Sequence, residues 1–232
     1  MPDLFHQTAF QMPVRSVTGR ADFFTAPENA EAVAAIDSFP NDFHGAVIFG
    51  EKGSGKTHLA HLFAETVFQK TGKRAALVSF DQWQSERSLA MENSYIVLEN
   101  VCAPISEPAL FHLLNQAKAA GGFVLITSET IPIEWNLKLP DLITRLKALP
   151  CVRILPPGDM LMQAVLLKQF ADRQLSVAPE VIAYVLKNAE RSFSALSFVV
   201  QRADALSLEK KRAVTIPLIR QVLDEYAHKK DC

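Results

Sequence analysis

Residues 50–57 read Gly50-Glu51-Lys52-Gly53-Ser54-Gly55-Lys56-Thr57 and fill every fixed position of the G-x-x-x-x-G-K-[S/T] phosphate-binding loop. Glycine lets the backbone approach an anion closely, and the N–H groups of residues 53–57 would cradle phosphates at a helix N-terminus. Lys56 would reach the β- and γ-phosphates, and the Thr57 hydroxyl would hold Mg²⁺. Both flanks fit: the apolar run Ala46-Val47-Ile48-Phe49 leads in as a strand, and His58-Leu59-Ala60-His61-Leu62-Phe63-Ala64 leads out with helical spacing. The predicted chemistry is the binding of a nucleoside triphosphate or diphosphate.

Three further groups bear on the fate of a bound nucleotide. Tyr95-Ile96-Val97-Leu98-Glu99-Asn100 is a buried-strand pattern ending in an acid. Glu99 is the candidate for the Mg²⁺-side carboxylate, one methylene longer than the usual Asp. Asn100 stands where many ATPases keep a second acid, and an amide cannot act as a carboxylate base, so hydrolysis should be weak. Two solvated polar residues at a strand end are the plainer alternative. Val124-Leu125-Ile126-Thr127 runs into Ser128 and Glu129, where a polar residue is expected to sense the γ-phosphate. Arg145 lies near the end of the helix expected over 139–148, at the domain edge and far from the chain's own phosphates. A guanidinium so placed suits a neighbouring subunit's nucleotide, and such arginine fingers are worth about 10³–10⁵ in rate. From the residues alone, a solvated helix arginine is the safer reading.

The elements that must position these groups are legible as alternation. Short apolar runs at 75–80, 95–98, 123–127 and 152–155 have the character of buried parallel strands, with helical stretches at 27–36, 56–70, 82–90, 107–120 and 139–148. Such alternation implies an α/β parallel sheet flanked by helices. Pro156-Pro157-Gly158 breaks the chain, and beyond it helical periodicity alone remains, at 159–174, 178–190, 193–207 and 215–228, with Pro179 and Pro217 near helix starts. The expected division is an extended arm over 1–21, an α/β nucleotide-binding domain over 22–157 and a small all-helical domain over 158–232.

Composition excludes several classes. The formal charge of −1 gives no global attraction to nucleic acid, and Lys210-Lys211-Arg212 is the one basic cluster. Cys102, Cys151 and Cys232 have no metal-ligand spacing and suit a reducing compartment. His58 and His61 could share a helix face but lack the further ligands zinc needs. With no membrane-length apolar run and no signal-peptide pattern, the expected location is the cytoplasm.

The order of phosphate loop, Leu98-Glu99-Asn100, Ile126-Thr127-Ser128-Glu129, Leu139-Pro140-Asp141-Leu142-Ile143-Thr144-Arg145-Leu146 and helical lid resembles the Hda-like members of the DnaA clade of AAA+ proteins. Gly53-Ser54-Gly55-Lys56-Thr57-His58-Leu59-Ala60-His61 is similar to the clade's loop, which carries His58 into the nucleotide site. Phe24 through Asn29 resembles its leading segment near the adenine pocket, and Thr215-Ile216-Pro217 its final helix; the likeness runs from about residue 22 to 228. It implies an AAA+ P-loop core with a helical lid, a resident nucleotide (ADP or ATP, with Mg²⁺ open), and Arg145 acting in trans. The implied partners are the DnaA AAA+ domain and the DNA polymerase sliding clamp, with further copies of the chain possible. The implied activity is stimulation of the hydrolysis of DnaA-bound ATP, which regulates replication initiation. The length leaves no room for a helix-turn-helix reader, so sequence-specific duplex binding is not expected.

The chain departs from that pattern in three places. Glu99 replaces Asp. Ser194 stands where the lid arginine belongs, with Arg191 three residues earlier as a substitute if the helix extends that far. In the arm, Phe10, Met12 and Pro13 keep the apolar positions of the clamp-binding motif, but Ala9 stands where its Gln should be. An arm with scattered apolar residues is the alternative there. Two rivals remain: an AAA+ ATPase with its own turnover, such as a helicase loader, and a P-loop kinase, against which the helical lid argues.

Overall fold

A computed structural model describes residues 23–40, 43–86, 93–210 and 212–230. The arm over 1–21, with Phe10, Met12 and Pro13, lies outside the described residues, as does Cys232.

The core is a five-stranded sheet of β1 (Gly45–Phe49), β2 (Ala76–Ser79), β3 (Tyr95–Val101), β4 (Phe123–Ser128) and β5 (Cys151–Arg153), in the order β2-β3-β4-β1-β5. Every pairing is parallel: Val47 aligns with Ile126 on one side and with Cys151 on the other. Parallel neighbours need crossover helices, and those helices cover both faces of the sheet. β1 shows the consequence, since Val47 packs with one face's core while Ala46 and Ile48 pack with the other's.

On one face lie α1 (Ala30–Asp37) and α2 (Lys56–Thr71), which bury Val33, Leu59, Phe63 and Val67. There Phe39 meets Phe63 and Phe123 edge-to-face at centroid distances of 5.3 and 5.4 Å. The opposite face is covered by α3 (Phe80–Ser85), α4 (Glu107–Ala119) and α5 (Pro140–Lys147), which contribute Phe80, Trp83, Leu110, Leu114, Leu142 and Leu146.

Several element boundaries differ from expectation. The strand at 75–80 ends at Ser79, whose hydroxyl accepts the Gln82 N–H and starts α3 at Phe80. The helix expected over 82–90 therefore begins earlier, and residues 87–92 lie outside the described residues. β3 runs three residues past its expected end through a register shift between Leu98 and Val101, where Asn100 takes φ 59°. β5 ends at Arg153 instead of 155, although the Ile154 N–H still bonds to Phe49 O at 2.8 Å.

Beyond Gly158 the chain is helical: α6 (Asp159–Asp172), α7 (Pro179–Asn188), α8 (Phe193–Lys210) and α9 (Ile216–Lys230). They close on their own core of Leu166, Phe170, Val185, Leu196, Val199 and Ile219. Pro179 occupies the first turn of α7, where its missing N–H costs nothing. Among the described residues no helix is long and apolar enough to cross a membrane.

Candidate nucleotide site

The phosphate loop is built by β1 ending and α2 beginning within a few residues. Gly50 donates to Ser128 O of the neighbouring strand at 3.2 Å, and the Ser54 N–H closes a turn on Glu51 O at 3.2 Å. Gly53 and Gly55 take φ of +81° and +106°, conformations in which any side chain is strained. A Cβ on Gly50 would lie 2.3 Å from Ile154 O, so the loop also needs glycine there for lack of space.

Lys56 is 6% exposed, and its ammonium donates to Gly50 O at 2.7 Å and to Glu51 O at 2.9 Å. Burial holds its pKa below the usual lysine value, while the Glu129 carboxylate pulls the other way. The structure thus brings exposed Glu129, at the end of β4, to the electrostatic neighbourhood of Lys56. Thr57 and His58, in the first turn of α2, are surface residues. Crowding nonetheless lowers the His58 pKa, helped by the charge of His61, and its ring lies 6.0 Å from that of Phe193.

The helical lid closes directly on this loop. The Phe193 N–H approaches Gly53 O at 3.4 Å, and a Cβ on Gly53 would lie 2.5 Å from Ser192 Cβ. Ser192 caps α8 by accepting the Ala195 N–H at 3.1 Å, and its hydroxyl sits 3.1 Å from that of Ser194. Arg191 precedes the helix, so helical spacing does not relate it to Ser194; its guanidinium pairs with Asp159 at 2.5 Å. Ser192 and Phe193, which meet the loop's glycines, are both uncharged.

Other expected site residues have partners within the framework. Buried Asn29 accepts the Ala26 N–H at 2.8 Å and donates to Phe24 O at 3.0 Å, closing the segment that leads into α1. The Thr127 hydroxyl accepts the Asn100 N–H at 3.0 Å, which fixes the β3 irregularity beside Glu99. Arg145 is half-buried on α5, with its guanidinium 5.4 Å above the Phe111 ring. Ser192, Phe193, Ile154 and Phe111 were not singled out by sequence. All four act through contacts between residues far apart in the chain, for which one sequence carries no signal.

The residues present fit a nucleotide. Ser54 Oγ is buried without a hydrogen-bond partner in the loop between β1 and α2. A polyphosphate supplies the acceptors that this hydroxyl, the loop N–H groups and Lys56 need. Glu99 Oε1 is likewise buried and unpartnered, so Glu99 and Thr57 are the residues that would hold Mg²⁺. Among the described residues no group of three His, Cys, Asp or Glu side chains could hold a metal, so the phosphates would complete its coordination. Bound there, the metal would neutralise phosphate charge.

A parallel sheet in this order, a phosphate loop between β1 and α2, and a helical lid resting on that loop define a P-loop nucleotide-binding module of AAA+ type. Comparison with known structures agrees. Domain III of the Thermotoga maritima replication initiation protein DnaA superposes with a TM-score of 0.80 at 17% identity, covering 92% of this chain and 98% of that one. AMPPCP-bound DnaA from Aquifex aeolicus gives 0.64 at 18%, covering 82% and 67%. The Thermotoga maritima RuvB branch-migration motor gives 0.63 at 9%, covering 85% and 67%. At these identities the likeness shows the fold. The family model described as "Hda, lid domain" matches residues 159–223. The lid therefore carries the Hda lid sequence pattern, and the chain around it has the fold of DnaA domain III.

Proposed function

We propose that this protein regulates chromosomal replication initiation by presenting Arg145 to ATP held by DnaA, whose hydrolysis it stimulates. The carrying observation is where Arg145 lies. It sits on α5, which packs on the sheet face opposite the loop helix α2, while its own loop is met by Ser192 and Phe193 of the lid. A guanidinium is charged at every working pH and offers forked donors that match a phosphoryl group in transfer. On its own loop the chain holds a nucleotide, ADP in this reading, as a structural and regulatory ligand. The sliding clamp is the second partner, engaged through residues 1–21 with Phe10, Met12 and Pro13.

The nucleotide-bound DnaA neighbours support DnaA as the target only through shared fold and family. A second reading, an AAA+ ATPase with its own turnover, draws on the buried, unpartnered Oε1 of Glu99 on β3. Glu99 and Glu129 would then be its catalytic carboxylates.

Two assays separate these readings. The isolated chain with ATP should turn over barely above background, and adding it with clamp-loaded DNA to ATP-bound DnaA should accelerate release of phosphate. Brisk turnover of the isolated chain with no effect on DnaA would replace the first reading with the second.

A further inference from the structure

We propose that Phe111 is a positioning residue that aims Arg145 while leaving its charge available. The proposal rests on the reading that Arg145 acts in trans, and it adds how this chain holds the guanidinium ready.

Glu107 and Phe111 lie four residues apart on α4 and so share one helix face. Together they grip α5 at both ends. The Glu107 carboxylate accepts the N–H of Lys138 at 3.0 and 2.9 Å and that of Leu139 at 2.6 Å, which ties down the residues leading into α5. Leu142 and Leu146 bury the inner side of α5. At its far end the Arg145 guanidinium lies 5.4 Å above the Phe111 ring.

The choice of partner is informative. Arg191 and Arg202 are each held by a carboxylate, Asp159 and Glu225, at 2.5 Å. Asp141 stands one turn before Arg145, at the spacing of a helical ion pair, yet no carboxylate pairs with Arg145 among the described residues. A carboxylate would neutralise the guanidinium and occupy its fork. An aromatic face attracts the cation through its quadrupole, fixes its plane, and leaves the N–H donors on the edge unspent. That is what a group destined for another molecule's phosphate requires. Pre-orientation also removes the cost of freezing a long side chain on binding.

The test uses the full chain with clamp-loaded DNA and ATP-bound DnaA. Phe111→Leu keeps apolar volume and removes the ring; Phe111→Tyr keeps the ring. With Phe111→Leu the maximal rate of DnaA-bound ATP hydrolysis should fall about five- to tenfold. The chain concentration giving half-maximal stimulation and the chain's own nucleotide affinity should not change. Phe111→Tyr should restore the rate to within about twofold. Should the Leu variant melt early, Phe111→Met repeats the measurement with the same expectation. A wild-type rate in the ring-less variants, or equal loss in the Tyr variant, overturns the role of Phe111 while leaving that of Arg145 standing. An unchanged rate with Arg145→Ala overturns both.

Discussion

Gly53 of the phosphate loop and Ser192 of the lid are in such close contact that a Cβ on the glycine would stand 2.5 Å from the serine's own Cβ. Loop and lid therefore share one surface, and the lid reads the shape of the loop. Gly53→Ala must move one against the other and also strain a backbone at φ +81°. Its nucleotide affinity should fall at least about tenfold, a loss of about 1.4 kcal/mol. Gly72→Ala is the control, since Gly72 has φ +71° but nothing within 4 Å of its added Cβ. It should lower stability by about 1–2 kcal/mol and leave affinity intact. Titration with a fluorescent nucleotide and a thermal melt compare the two.

Lys56 is charged in a place that penalises charge. Lys56→Met keeps the buried stem and removes the ammonium, so without nucleotide it should melt at or above the wild type at neutral pH. It should also lose the rise in melting temperature that added ADP gives the wild type. The lowered pKa sets the sign with pH. The folded chain binds the Lys56 proton less tightly than the unfolded one, so the penalty is complete below the folded pKa and fades as pH climbs towards 10.5. The nucleotide-free wild type should therefore gain on the variant in alkaline buffer. A Lys56→Met variant that melts well below the wild type would contradict the buried charge.

His58 gives a pH dependence in the acid range. Its folded pKa lies below the usual 6.5, so above 6.5 both states are neutral and nothing is lost. As pH falls below 6.5 the unfolded chain takes the proton first, and stability drops until the folded pKa is passed. Denaturant melts of His58→Gln against wild type should show a flatter decline across that window. Identical slopes would remove His58 as the cause.

Ser192 caps α8 at the point where the lid meets the loop. Ser192→Ala should cost about 1 kcal/mol of stability, seen as a lower denaturant midpoint at an unchanged slope. With saturating nucleotide the deficit should persist, because the cap belongs to the helix and not to the ligand.

How much of the fold and site was legible in the sequence depended on distance along the chain. The strand, loop and helix around Gly50–Thr57 are a local pattern, and they formed where the residues placed them. The parallel strands were legible because burial on both faces demands uninterrupted apolar runs, as in Ile96-Val97-Leu98. The β3 irregularity was hidden, since it depends on the Thr127 hydroxyl of a neighbouring strand. The leading segment around Asn29 was legible, but not that its amide bonds local backbone at both ends, which depends on how residues 24–29 fold back. Arg191 looked available to the lid helix, but a helix that starts at Phe193 leaves it outside, facing Asp159. Arg145 itself was visible; the ring beneath it was not, because Phe111 lies on another helix.

That Arg145 works on another protein's nucleotide is open to a direct kinetic test. It is single-turnover hydrolysis of ATP bound to DnaA, with clamp-loaded DNA and either wild-type chain or Arg145→Ala at equal concentration. The variant should bind its own nucleotide as the wild type does, while the stimulated rate falls by about 10³ or to the unstimulated level. Stimulation by Arg145→Ala equal to that of the wild type would show that the arginine does not act in trans.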